Sequence, residues 1–98
     1  MKLWNMVGKY EGDAFVTTHL THAGAVKSGI SECLHFLGLE DGDSRFLTEN
    51  QVDITVDLAE IQKMEPDALV ELFTWLIEET WDNHVGFSVD IVPAHLEA

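Results

Sequence analysis

Two alternating runs bracket a helical one between residues 51 and 92, and this pattern constrains the fold more than any other feature of the chain. Residues 51–58 and 85–91 place an apolar side chain at every second position, as strands with one buried face do. Val52, Ile54, Val56 and Leu58 fall on that face in the first run, and Val85, Phe87, Val89 and Ile91 in the second. Asp53, Thr55, Asp57, Ser88 and Asp90 fall on the other, which predicts a sheet covered on one side and wet and acidic on the other. Residues 66–82 repeat at helical spacing, with Leu69, Val70, Phe73, Leu76, Ile77 and Trp81 as the buried stripe. Pro66 suits the first helical position, and Glu65 and Asp67 suit the positive end of the helix dipole.

Upstream, residues 3–10 and 14–20 predict a hairpin about Glu11-Gly12-Asp13. Thr21 can cap a helix that runs to Leu37, with Val26, Ile30, Cys33, Leu34 and Leu37 inward and Lys27, Ser28, Ser31, Glu32 and His35 outward. Gly38 is placed to end it in the left-handed conformation. The long connection over residues 39–50 holds a turn at Glu40-Asp41-Gly42-Asp43. If residues 45–48 form a short strand, residues 14–92 read β-α-β-β-α-β, the ferredoxin-like order, with the first hairpin strand added at the sheet edge. If they form a loop, the order is β-β-α-β-α-β. Either way the expectation is one α+β domain over residues 1–98. It is a two-layer sandwich, a mixed sheet of four or five strands with two helices on one face, ferredoxin-like or a variant of it.

Charge narrows the function. The formal net charge is −13, and it is unevenly placed. Residues 1–38 balance, while residues 39–98 carry fifteen carboxylates against Arg45 and Lys63 and so hold all of the −13. Such a field repels nucleic acid and anionic membranes and draws in basic partners. One cysteine, Cys33, excludes an internal disulfide and points to a reducing cytoplasm, of a cell or a host cell. No apolar run approaches a membrane span, and the start Met1-Lys2-Leu3-Trp4-Asn5 lacks a signal-peptide pattern.

Catalytic and metal chemistry find little support. His19 and His22 lie three apart, but a zinc site needs three or four ligands, and Cys33 falls on a core face. Residues 21–25 lack the glycines and lysine of a phosphate cradle. The turn at residues 40–44 lacks the ligand spacing of a calcium loop. Asp53, Asp57 and Asp90 are carboxylates on a flat wet face, with no pocket to shift their ionisation. No nucleophile pattern is legible. The expectation is therefore a non-enzyme with no cofactor and no metal.

The helix over residues 66–82 stands out. Opposite Phe73 lies Trp75, flanked by Leu72 and surrounded by Glu71, Glu78, Glu79 and Asp82. A large aromatic on a solvent face is a typical interface anchor. The acids work against the helix, because Glu78, Glu79 and Asp82 sit at its negative end, and Asp67–Glu71 and Glu78–Asp82 are like-charge pairs four apart. Such local conflicts tend to mark function. The expected partner site is Glu71, Leu72, Trp75, Glu78, Glu79 and Asp82, with Asp53, Asp57 and Asp90 as a second acidic surface. The expected role is a small acidic inhibitor that occupies a basic protein surface, on a nucleic-acid-binding enzyme for instance, as a nucleic-acid mimic. Phage-encoded inhibitors of restriction or CRISPR systems are similar in size and charge. The alternatives are a structural or assembly subunit that forms a homodimer through the Trp75 face, and a small enzyme or metal-binding protein that uses His19 and His22.

Overall fold

A computed structural model describes residues 2–83 and 87–95, with the backbone alone at residues 81–83 and 95. The elements in order are β1 (Lys2–Tyr10), β2 (Asp13–His19), α1 (His22–Phe36), β3 (Ser44–Leu47), β4 (Val52–Thr55), α2 (Leu58–Lys63), α3 (Pro66–Asn83) and β5 (Phe87–His95). The class is α+β. The five strands form two antiparallel sheets, a three-stranded one in the order β2-β1-β5 and the hairpin β3-β4. This replaces the expected single mixed sheet and its ferredoxin-like order. The reason lies in strand length. β1 pairs along nine residues with β5 and along seven with β2, so it takes the centre rather than the edge. β3 and β4 offer each other only four positions.

The strand expected over residues 51–58 stops at Thr55 because Asp57 caps a helix. Its Oδ1 accepts from the Glu60 amide at 3.0 Å, and Leu58 becomes the first residue of α2. An aspartate followed three residues later by a glutamate is a helix-start signal, and here it overrides the alternation. Val56 is still buried, while Leu58 is exposed. Elsewhere the local reading holds. Thr21 Oγ1 accepts from the Gly24 amide at 3.0 Å, α1 buries Val26, Ile30, Cys33 and Leu34, and Gly38 follows with φ of 72°.

α1 lies against the inward face of the three-stranded sheet, which carries Met6, Gly8, Phe87 and Val89. α3 packs beside α1 and along β5. The approach is close at Gly29, where a Cβ would stand 2.7 Å from the Phe73 ring and 3.3 Å from Val89 Cγ1. Leu69, Leu76 and Ile77 are buried as expected, but Val70 is 41% exposed. Val85 lies outside the described residues.

Candidate binding surfaces

The face of α3 read as open to a partner is covered from within. Glu71 is exposed, but Leu72 and Trp75 are half-buried and pack against the core. Glu79 is 2% exposed, and it accepts from the Thr48 amide at 2.9 Å, Thr48 Oγ1 at 3.3 Å and Arg45 Nη2 at 3.2 Å. Glu78 accepts from Asn50 Nδ2 at 3.0 Å. The hairpin β3-β4 and the turn between its strands supply these donors. Two of the six expected partner residues, Glu78 and Glu79, therefore serve the fold. The Asp82 side chain lies outside the described residues. Helical periodicity assigns an angle around the axis and leaves open what packs there. The signal that could have found this contact is Arg45, one of only two cations in residues 39–98.

The second expected surface is not one surface either. Asp53 is exposed on β4, Asp57 caps α2, and Asp90 is exposed on β5 in the other sheet. Around Asp90 the outward sheet face is a mixture of apolar and polar side chains and near neutral, not acidic. The register places Val16, Val7 and Asp90 in one row, Thr18, Asn5 and Val92 in the next, and Ala14, Lys9 and Ser88 on the other side. Leu3 and Ala94 extend it, and Leu20, just past β2, is 76% exposed.

The exposed acids fall instead on the stretch from the turn at residue 40 to residue 71 in α3. Glu40, Asp41, Asp43, Asp53, Asp57, Glu60, Glu65, Asp67 and Glu71 are all exposed there, and Lys63 is the one exposed Lys or Arg among them. Three of these carboxylates are held by backbone amides. Asp41 accepts from Leu58 N at 3.0 Å, Asp43 from Glu40 N at 2.8 Å, and Asp57 from Glu60 N. The turn at residues 40–43 is in turn joined to the end of β4, with Gly42 N donating to Val56 O and Val56 N to Asp43 O, both at 2.8 Å. These acids stand on fixed backbone, so little ordering remains to be done when a partner arrives.

His19 and His22 have local structural contacts, and the thiol of Cys33 is buried. His19 Nε2 lies 2.8 Å from Thr17 Oγ1, which is 3.1 Å from Ser28 Oγ. The His22 ring meets Trp4 edge-on at 4.7 Å. Among the described residues no three metal-ligating side chains come together. Burial first, and then the charge of Glu32, push the Cys33 thiol up to about 12, so it is neither a ready nucleophile nor a ready ligand. No helix among the described residues is long and apolar enough to cross a membrane. Compared with protein-family models, with curated proteins and with solved structures, the chain matches none.

Proposed function

We propose that this chain is a non-enzymatic binding protein whose acidic segment, from the turn at residue 40 to the middle of α3, occupies a basic surface of a protein partner. The observation that carries the reading is the array of exposed carboxylates on β4, α2, α3 and the turn beside them, three of them fixed by backbone amides. Carboxylates presented on rigid backbone meet Lys and Arg side chains as phosphates do, through charge-assisted hydrogen bonds. A nucleic-acid-binding enzyme is therefore the class of partner that fits, and inhibition by mimicry of its nucleic acid is the role. Relative to the sequence reading, the site moves from the inner acids of α3 to the acids around α2.

The test is a capture from lysate at low salt, followed by binding measurements on the purified partner. Affinity should fall steeply with salt, and duplex DNA or RNA should compete. Reversing Asp53, Glu60 and Glu71 to Lys spares the capping carboxylates. Exposed pairs are worth roughly 0.2–1 kcal/mol each, and reversal adds repulsion, so affinity should drop about tenfold or more. A partner that binds equally at high salt and ignores the triple reversal would sink the reading.

A second reading, a homodimer, has one observation in its favour. On a chain of −13 the outward face of β2-β1-β5 carries only Lys9 and Asp90 as charges among the described residues. A second copy can approach there without the repulsion the rest of the surface imposes. This face replaces the Trp75 face of the sequence reading. Sedimentation should then show a dimer that Val16→Asp converts to a folded monomer. A monomer at every concentration reached counts against it.

A further inference from the structure

A cavity of about 350 Å³ lies between the end of the β1-β2 hairpin, the start of β5 and the last turns of α1. That volume is within the range of small-ligand sites. Tyr10, Phe15 and Phe87 reach it from the inward face of the sheet, where the register sets Tyr10 opposite Phe87 and Phe15 opposite Gly8. Glu32, His35 and Phe36 reach it from α1, spaced three and four apart so that they share one helix surface.

The walls are ordered. Phe36 stacks on Phe87 with centroids 4.2 Å apart, and Tyr10 stands edge-on to both, at 5.6 Å from Phe36 and 6.4 Å from Phe87. The Phe15 ring lies across Gly8, where a Cβ would come within 2.2 Å of it, so only glycine leaves room for this wall. Among the described residues no Lys or Arg lines the cavity. Lys9 is next to Tyr10 in sequence, but strand alternation sends it to the opposite face.

Ring faces are the negative part of an aromatic quadrupole, and Glu32 adds an acidic side chain to the same lining. The ligand that suits both is a cation with flat or apolar flanks. We propose that this cavity takes the guanidinium of an arginine side chain of the basic partner, with the rings against its plane and Glu32 against its N–H groups. The proposal rests on the reading above for the source of the arginine, and on the cavity walls for the chemistry. Arginine is preferred to lysine because its plane stacks on rings while its edge donates to a carboxylate.

The experiment is an NMR titration of the whole chain with N-acetyl-arginine methylamide, and with the uncharged citrulline analogue of the same shape, at matched ionic strength. The arginine amide should shift the ring resonances of Tyr10, Phe15 and Phe36 saturably, with the citrulline amide weaker by about tenfold. Glu32→Gln should weaken the arginine amide several-fold and leave the citrulline amide unchanged. Gly8→Ala, which forces the Phe15 ring off the wall, should weaken the arginine amide without touching any charge. Equal binding of the two amides, no saturable shift, or tighter binding of the corresponding lysine amide would overturn the proposal. A captured basic partner whose affinity ignores Glu32→Gln overturns the cavity and leaves the acidic surface. Arginine amide bound in the cavity with no basic partner captured supports the cavity and overturns the acidic surface.

Discussion

Phe87→Asp should leave the chain unfolded at room temperature. Phe87 is 5% exposed, stacked on Phe36, and opposite Tyr10 at the end of the β1-β5 pairing. Losing a buried phenylalanine ring costs roughly 3–5 kcal/mol. A carboxylate buried in its place without a partner adds several kcal/mol more. Single domains hold only about 5–15 kcal/mol in all. Phe87→Leu keeps most of the volume and should cost roughly 1–2 kcal/mol. Far-ultraviolet circular dichroism with thermal melting separates the two variants. A cooperative melt for Phe87→Asp near that of the parent would mean that this face of β5 is open, and that the inward and outward faces have been exchanged.

That assignment came from alternation alone, which shows what the sequence makes legible here. The period-two pattern placed Phe87, Val89 and Ile91 on the inward face, and the structure buries the first two and half-buries the third. The cap at Thr21, the stop at Gly38 and the start at Pro66 were readable because each depends on residues within a few positions of itself. Strand order was not readable. Alternation tells which side chains share a face and is silent about which strand lies next door, so β1 was set at an edge when it is the centre. Pairing across some eighty residues of sequence, as between Lys9 and Ser88, leaves no local mark.

The contacts of Glu78 and Glu79 were not readable for a related reason. Charged residues are almost never fully buried unless paired, so acids on a helix are read as outward by default. Glu78 and Glu79 at the negative end of α3 looked like a conflict kept for function. The conflict is resolved inside the fold, by donors that stand 28 to 34 residues upstream. What survives of the acidic reading is the part that made no claim about packing, namely that the charge is concentrated after residue 38.

Glu79→Ala should therefore damage stability rather than an interface, by about 2–4 kcal/mol. One carboxylate oxygen takes both donors of Thr48, and the other takes Arg45. Truncation leaves the Thr48 amide without this acceptor, a loss of roughly 1–3 kcal/mol if the group stays dry. It also leaves Arg45 without its counter-charge. Removing one partner of a fully buried pair typically costs roughly 3–5 kcal/mol. Arg45 is 32% exposed and can turn to water, and it binds through Nη2 while its buried Nε has no partner among the described residues, so the ionic part falls below that range. Glu79→Gln keeps an acceptor for Thr48 and loses only the charge, and should cost about half as much. For a domain of this size each kcal/mol moves the melting temperature by roughly 4–8 °C, so the alanine variant should melt about 10–25 °C lower. The loss should also have a place. Because Glu79 ties β3-β4 to α3, the Thr48 amide should lose protection from hydrogen exchange while the β1-β5 amides keep theirs. If both variants melt within a few degrees of the parent and Thr48 stays protected, the hairpin is held by its apolar contacts alone. The acids of α3 would then return as a candidate binding surface.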